Sequence, residues 1–500
     1  MLATFMEVLD TSVANVSLPH IAGNLSASTD EATWVLTSYL VANAIILPAT
    51  NWLGQLLGRK RFFISCIVLF TMASALCGIA SSLGFLIIAR VLQGASGGAL
   101  QPISQAVLLE SFPPARRGAA MAVFAMGVVV APILGPTLGG WITDNYSWRW
   151  IFYINLPIGV LAVLMVHAMV EDPPYLKRIS AANIDYIGFG LLSIWLATLQ
   201  YMLDKGQELD WFSSDAVLWC AIISGCSFVG FIMRELMTAF PIVDLRVLKN
   251  RNFAVGAAMI LLLGALLYGT TAILPLFMQN LLGYSALDAG VAMSPRGIGA
   301  FLTTIVVGRM AGRISNRILI GGGFLLLAYS CFMLGNINLD VSRSSIVWPI
   351  VISGVAISMI FVPLTTSTMG TLSREQMGNA TGIFNLMRNV GGSVGIAMIT
   401  TLVARTAQTN QAILSSHMSP FNPVFQQRMA AIQGGLAQQG GKWEAMRKTP
   451  AILYGMLQQQ SALLSYVHNF RFFAITCVVC APLVLLFKKV RKPAGPVLAH

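Results

Sequence analysis

Stretches of about 20 apolar residues, separated by short polar segments, recur along the whole chain. Each is long enough to cross the roughly 30 Å hydrocarbon core of a bilayer as a helix. The pattern therefore predicts an all-α integral membrane protein with fourteen spans. The runs cover about residues 1–19, 33–53, 62–82, 84–108, 118–142, 150–170, 184–203, 215–233, 253–279, 287–308, 318–336, 345–369, 378–404 and 470–487.

The fifth run carries small residues at every fourth position and two prolines that are also four apart. On a helix the small residues form one stripe, against which another helix can lie at backbone contact. The prolines remove two backbone donors, so neighbouring helices must satisfy the freed carbonyls. We predict a kinked, lipid-shielded helix; the alternative is an ordinary glycine-rich packing face. The small residues are Gly127, Ala131, Gly135 and Gly139, and the prolines are Pro132 and Pro136.

Two carboxylates lie in the first run, where Glu7 and Asp10 share a helix face that Ala14 and Ser17 continue. Because a carboxyl within a span costs about 2.5–3.5 kcal/mol, two on one face indicate a cavity lined by water or protein. Both would be unusually shallow if the helix began at Met1, and the run has no basic residues before it. We therefore expect no signal peptide, and a chain that, as written, lacks the first turns of this helix.

Three arginines also lie well inside predicted spans. Arg90, close to Gln93, is either a side chain that reaches to the membrane interface or a buried cation beside a carboxylate. Arg296 follows Pro295 and either binds substrate or pairs with the carbonyls that this proline frees. Arg388 is the third.

Composition agrees with a membrane protein, since 56% of the residues are hydrophobic and only 10% are charged. The net charge of +12 comes from dispersed residues rather than from one basic patch, which argues against nucleic acid as a partner. The basic residues instead favour alternate loops, so the positive-inside rule predicts that both termini are cytoplasmic. This set is Arg59, Lys60, Arg61, Arg116, Arg117, Lys177, Arg178, Arg234, Arg246, Lys249, Arg251, Arg309, Arg313, Arg317, Arg374, Lys488, Lys489, Arg491 and Lys492.

Metal and nucleotide sites are not indicated. All seven cysteines fall within predicted spans, and Cys477 and Cys480 have no histidine nearby, so neither zinc nor a disulfide framework is expected. Gly440-Gly441-Lys442 lacks the rest of a phosphate-binding loop, so ATP is not implied.

Several motifs resemble those of one transporter family. The Gly-Pro-x-x-Gly-Gly sequence that ends at Gly140 resembles the antiporter motif in helix 5 of exporters of the major facilitator superfamily. The resemblance implies that the stripe of small residues packs against the opposite half of the protein. Asp10, Asn15 and Pro19 match the helix 1 motif of its fourteen-helix drug:proton antiporters, and Arg90 to Gly94 is similar to the Arg-x-x-Gln-Gly motif.

The loop between helices 2 and 3 resembles a further motif of the superfamily, to which Gly54, Gly58, Arg59 and Lys60 belong. Here Asn51 replaces the usual first glycine and Gln55 replaces the aspartate, which puts the usual latch between the two halves in doubt.

An internal repeat accompanies these motifs. Residues 308–313 echo residues 54–60, and residues 385–395 occupy in the second half the place of helix 5. Arg388 matches the family pattern, whereas Arg296 does not. Related halves with interrupted helices are typical of a transporter with a central site.

The resemblance implies two six-helix halves and an inserted hairpin. Residues 1–170 would form the N-terminal half, 171–252 helices 7 and 8 with their flanking loops, and 253–500 the C-terminal half. The last includes a long periplasmic loop at about 406–469, with a glutamine-rich run at 458–460.

The match is strongest to EmrB-type pumps, which implies an inner-membrane proton antiporter that exports small hydrophobic drugs, uses no cofactor and is not an enzyme. For its long loop, docking of an EmrA-like adaptor and a TolC-like channel is favoured over a passive spacer. We expect Asp10, helped by Glu7 and Arg90, to couple transport to protons, because a buried carboxyl beside a cation can change its protonation when its surroundings change. We expect Asn15, Gln93, Asn385 and Arg388 to line the substrate cavity, together with Arg296, which lies outside the family pattern.

Alternatives remain open. On the same fold, the chain could export a single metabolite or a siderophore. From other classes, it could be a membrane enzyme or a receptor. An enzyme would need convergent catalytic groups, but four of the five histidines lie at span ends or in loops, and His167 stands alone.

Overall fold

A computed structural model describes residues 1–113, 116–172, 185–310, 314–419 and 421–488, and these are almost entirely helical. Lys177, Arg178, Arg313, Lys489, Arg491 and Lys492 of the predicted basic set lie outside the described residues. The helices are α1 Leu2–Asn24, α2 Trp34–Leu57, α3 Arg59–Gly78, α4 Leu83–Ser111, α5 Arg117–Asn145, α6 Trp150–Met169, α7 Tyr186–Lys205, α8 Asp215–Met237, α9 Arg251–Asn280, α10 Ala286–Met310, α11 Asn316–Leu334, α12 Arg343–Met369, α13 Arg374–Ser416, α14 Pro423–Gly440 and α15 Lys442–Leu483. Short helices cover Thr29–Ala32, Trp211–Ser213, Leu245–Lys249 and Val484–Leu486.

Among the described residues, twelve helices are long and apolar enough to cross a membrane. The count reaches thirteen with α5, which bends by 43° between Pro132 and Thr137 and so has the predicted kink. Helix α1, which carries Glu7 and Asp10, packs along α5 inside the bundle. The protein is therefore a multi-pass membrane protein, and its helices are compatible with fourteen spans.

The helices form two packed groups. In the N-terminal group, α1 packs on α5, and α2 and α3 pack on α4. In the C-terminal group, α9 packs on α13, α12 packs on α10 and α11, and α15 packs on α11 and α13. The groups meet where α5 contacts α10 and where α13 contacts α2 and α4.

Polar residues at the helix ends satisfy backbone groups that have no partner within the helix. Ser82 accepts a hydrogen bond from the Phe85 N–H at the start of α4, and Asn250 accepts two at the start of α9. Gly58 joins α2 to α3 with φ at +86°, a left-handed conformation that glycine adopts without strain.

The small stripe of α5 faces α1, which lies in the same group. A Cβ atom at Gly135 would collide with Ser12, and one at Gly139 would lie 2.9 Å from a methyl carbon of Val13. Packing of this stripe against the opposite half, as the antiporter motif suggested, is therefore wrong; α5 reaches α10 with other residues, such as Ala122 beside Gly308. A stripe of small residues specifies a close neighbour but does not specify which helix it is.

Helix α1 also satisfies a carbonyl that the kink exposes. Pro136 has no N–H, so the carbonyl of Pro132, four residues earlier, loses its helical partner. The Ser12 hydroxyl donates to that oxygen at 2.9 Å. A neighbouring helix therefore compensates for the proline, as the sequence predicts.

The long polar segment after residue 405 is helical rather than a loop. α13 continues to Ser416, α14 follows, and α15 begins at Lys442. The extensions of α13 and α15 are held together where Gln411 donates to the Tyr454 hydroxyl at 3.2 Å and Ser461 donates to the Ala407 carbonyl at 2.6 Å. Both extensions lack a continuous apolar run, which is why their sequence resembles a loop.

The inserted hairpin α7–α8 is bound to both groups. Asp204 accepts from the Thr37 hydroxyl of α2 at 2.5 Å, while Gln200 accepts from the Ser393 hydroxyl of α13 at 2.8 Å. The Trp211 indole N–H donates to the Thr401 hydroxyl of α13 at 3.0 Å. The hairpin thus separates the two halves along the sequence and also contacts both helix groups in the folded protein.

We expect Gly135→Ala to destabilise the protein by about 1–3 kcal/mol, because the added methyl group forces α1 away from α5. Gly140→Ala is the matched control on the same helix, since a Cβ atom added there would have no neighbour within 4 Å. Thermal unfolding of the purified proteins in detergent measures the difference. Equal midpoints for the two variants would show that α1 does not lie against this stripe.

Candidate functional site

Asp10 is buried in α1 and surrounded by donors. Its Oδ2 accepts from Arg90 Nη1 at 2.6 Å, and its Oδ1 accepts from Gln93 Nε2 at 2.8 Å and from Asn155 Nδ2 at 2.6 Å. Its side chain is only 1% exposed. Residues of α4 and α6 therefore bind one carboxylate of α1. A proton added to that carboxylate would disturb these hydrogen bonds.

Arg90 is fully buried, which excludes a side chain that reaches to the membrane interface. Besides Asp10, its guanidinium donates to Gln93 Oε1 at 2.8 Å and to the Val35 carbonyl at 3.0 Å. The Tyr39 ring covers it, with 4.1 Å from the guanidinium carbon to the ring centroid, an arrangement that stabilises a cation. The ion pair is thus buried and contacted by residues of α2, α4 and α6.

Glu7 is buried one helical turn from Asp10 and occupies a second polar site. Its Oε1 accepts from Asn43 Nδ2 at 3.1 Å and from the Tyr39 hydroxyl at 3.4 Å. Its Oε2 accepts from the side-chain amide of Gln101 in α4. Tyr39 contacts both Glu7 and Arg90, so the two buried acids belong to one network.

Gln101 continues this network into the C-terminal group, because its Oε1 accepts from Arg388 Nη2. One turn further along α4, Gln105 Oε1 accepts from Asn385 Nδ2 at 2.6 Å. Arg388 is 1% exposed, and its Nε and Nη1 have no hydrogen-bond partner. A buried cation with unused donors can bind a further acceptor.

The remaining residues of the predicted cavity lie apart from this network. Arg296 is buried in α10 and donates to the hydroxyls of Thr271 at 2.8 Å and Thr270 at 3.2 Å. It therefore pairs with side chains of α9 rather than with the carbonyls that Pro295 frees. Asn15 is exposed, on a different face of α1 from the buried Glu7 and Asp10.

A second polar cluster lies at the basic end of the bundle, defined here as the end that carries Arg59, Arg116, Arg309 and Arg374. Arg59 forms an ion pair with Glu110, the residue before the end of α4. Lys60 Nζ donates to the His167 carbonyl at 2.8 Å. The loop motif thus binds α3 to α4 and α6 of its own group.

The altered position Asn51 lies at the contact between groups. A Cβ atom at Gly378 of α13 would collide with its side-chain oxygen. The replacement of the usual glycine by asparagine therefore places a polar side chain directly against the first turns of α13.

Sequence reasoning missed several members of the network, namely Tyr39, Asn43, Gln101, Gln105 and Asn155. Each is a polar residue within an apolar run, and a buried polar group needs a hydrogen-bond partner. That signal marks them as inward-facing, but it does not tell which charge each one meets.

Comparisons with known proteins agree in pointing to one family. The sequence model of the Major Facilitator Superfamily matches residues 1–396. The multidrug export protein EmrB of Escherichia coli (strain K12) is 40% identical over 452 residues, 90% of this chain and 88% of that one. The fatty acid resistance protein FarB of Neisseria gonorrhoeae is 38% identical over 492 residues, 97% and 94% of the two chains.

Among solved structures, the crystal structure of the human organic anion transporter MFSD10 has a TM-score of 0.58. The superposition covers 95% of this chain and 98% of that one at 14% sequence identity, so it speaks for the fold alone.

We expect Arg90→Met to destabilise the protein by about 3–5 kcal/mol, because it strands the Asp10 carboxylate without its cation. Asp10→Asn strands the guanidinium in the same way. The double variant removes both charges, so its loss should be smaller than the sum of the two single losses. Thermal unfolding in detergent provides the comparison, and strictly additive losses would contradict a buried ion pair between these residues.

Proposed function

Because the chain belongs to the major facilitator superfamily, we propose that it exports lipophilic small molecules by alternating access, in exchange for protons. The named relatives support multidrug export as the task. The proton gradient is the energy source, and the cycle uses no bound cofactor and no catalysed reaction.

The observation that carries this proposal is the carboxylate of Asp10, buried against Arg90 and two amides in the N-terminal group. A carboxylate within a membrane span costs free energy, and such acids typically mark the path of an ion or a proton. Moving one proton inward supplies about 2.3 kcal/mol for each 100 mV of membrane potential. A movement within the N-terminal group that lengthens the contact between Asp10 and Arg90 would favour proton uptake, and the return movement would favour release.

The charges of the C-terminal group support lipophilic acids among the substrates. Arg296 and Arg388 are buried there, and neither forms an ion pair with a carboxylate among the described residues. The free Nε and Nη1 of Arg388 would bind an acidic head group, while apolar side chains hold the tail. The relative FarB, a fatty acid resistance protein, is consistent with such a substrate.

We place the protein in a bacterial inner membrane with the basic end and both termini in the cytoplasm, following the positive-inside rule. The extensions of α13 and α15, with α14, then stand in the periplasm. Their tip exposes Phe421 at 93% and Trp443 at 89% of full accessibility. Exposed aromatic side chains of this kind suit a docking surface for an EmrA-like adaptor that leads to a TolC-like channel.

Proton coupling is tested with Asp10→Asn. In proteoliposomes that carry equal amounts of protein, substrate transport driven by a proton gradient should be abolished, because residue 10 no longer binds and releases a proton. Asp144→Asn is the matched control, since that acid lies near the end of α5 with a side chain 60% exposed. Gradient-driven transport by Asp10→Asn at the control's rate would remove Asp10 from the mechanism.

Docking is tested with the double variant Phe421→Ser and Trp443→Ser. We expect it to transport normally in proteoliposomes but to lose co-purification with the adaptor and most drug resistance in cells. Phe212→Ser, which removes an exposed aromatic residue from the hairpin, is the control. If adaptor binding and resistance both survive the double substitution, the tip is a passive spacer.

A further inference from the structure

Gln101 is the one described side chain that contacts both a buried acid and the cation of the opposite helix group. Its Nε2 donates to Glu7 of α1, and its Oε1 accepts from Arg388 of α13. It is 5% exposed, so water does not compete for either bond. The order Glu7, Gln101, Arg388 forms a continuous chain of hydrogen bonds from one group to the other.

The direction in which these hydrogen bonds donate depends on the charge of Glu7. A glutamine amide donates from one side and accepts on the other, and an ionised carboxylate only accepts. Around Glu7, the neighbours Asn43, Tyr39 and Gln101 all donate to it. The site is therefore arranged for the ionised form, in which the Gln101 oxygen is turned toward Arg388.

Adding a proton to Glu7 disturbs both ends of the chain. Oε1 of Glu7 already accepts from Asn43 and Tyr39, whereas Oε2 accepts only from Gln101. The added proton is therefore best accommodated on Oε2, where the acid becomes a donor and the amide turns its own oxygen toward Glu7. Its NH₂ group would then face Arg388, which has only donors, and the bond between the groups is lost. Protonation also removes the nearby negative charge, while Arg388 keeps few other acceptors: Asn389 Oδ1 is 3.5 Å away, and Nε and Nη1 have none.

We propose that Gln101 is a positioning residue that couples the protonation of Glu7 to the contact between the two helix groups. With Glu7 ionised, Gln101 holds Arg388 and α13 against α4. With Glu7 protonated, the amide turns, Arg388 loses this partner, and the groups separate. The inference rests on the proposed proton antiport and adds Glu7 to Asp10 as an acid whose protonation acts on the contact between the groups.

Other charged and titratable groups around Glu7 do not replace Gln101 in this role. Asp10 lies on the same helix and Arg90 on α4, but these two are paired with each other. Tyr39 of α2 contacts Glu7 without reaching the C-terminal group through any hydrogen bond of the described residues. Arg388 of α13 is the cation that Gln101 itself binds.

Gln105 provides a matched comparison within the same helix. It is also a buried amide of α4 and also binds α13, through Asn385, but the hydrogen bonds of the described residues connect it to no carboxylate. Loss of Gln105 removes a bond between the groups and leaves the proton-sensitive chain intact. Loss of Gln101 removes both.

The test measures the distance between the groups as the pH changes. Spin labels at Ser111→Cys and Glu375→Cys, both exposed at the basic end, report the separation by pulsed electron resonance. Cys220 and Cys226 are replaced by serine, since the other five cysteines are buried. The full-length protein is studied in lipid nanodiscs as the parent, with Gln101→Met, with Gln105→Met and with Glu7→Gln.

We expect acid buffer to shift the parent from a shorter to a longer distance. Gln105→Met should change the balance of the two distances but retain the shift with pH, whereas Gln101→Met should lose the shift. Glu7→Gln, which cannot ionise, should keep the longer distance at every pH; it remains informative if Gln101→Met fails to fold. A pH response in Gln101→Met equal to that of the parent, or a short distance in Glu7→Gln at high pH, overturns the proposal.

Transport assays in proteoliposomes distinguish a failure of the proposed proton antiport from a failure of the role of Gln101. If the parent transports substrate without moving protons, the proposed antiport fails, and this coupling fails with it. If the parent exchanges protons for substrate and Gln101→Met does so at the same proton-to-substrate ratio, only the role of Gln101 is refuted.

Discussion

Charge inside a hydrocarbon layer has to be compensated within the protein, and the pair of Asp10 and Arg90 is where this structure meets that requirement. Every oxygen of the Asp10 carboxylate is bound, and the helices that supply the donors must keep their relative rotation for these bonds to form. The packing of α1, α4 and α6 is therefore tied to one ion pair. Removing either charge leaves the other stranded at a cost of several kcal/mol.

The contact between the helix groups is of another kind. Among the described residues it consists of helix packing and of neutral or charge-to-amide hydrogen bonds, such as that between Gln105 and Asn385, rather than of direct pairs between opposite charges. A neutral hydrogen bond contributes only about 0.5–1.5 kcal/mol to a folded protein, and one to a charged group about 1.5–3 kcal/mol. An interface built in this way can open and close without the cost of separating two buried ions, which suits a molecule that alternates between two arrangements.

Much of this could be predicted from sequence, because the signals involved are local. Length and hydropathy indicate the helices, and a charge within an apolar run, such as Asp10 or Arg90, reveals an inward-facing site. The partners of those charges were not predictable. Whether Gln101 meets Glu7, and whether Gly135 meets α1 or the opposite group, depends on the rotation and tilt of whole helices. The polar extensions of α13 and α15 have no apolar run of their own, so their helical structure depends on mutual packing that the sequence pattern does not show.

The length of α13 has a mechanical consequence. Its 43 residues form one continuous helix of about 65 Å, roughly twice the thickness of the hydrocarbon core. Asn385 and Arg388 lie about a third of the way along it, and Ser416 ends it beside the exposed tip. Because α13 is one continuous helix, a small tilt at its contact with α4 becomes a larger displacement at the far end, where its extension is bonded to α15. A partner protein bound to that tip would therefore be displaced in each transport cycle, without contacting the substrate or the proton.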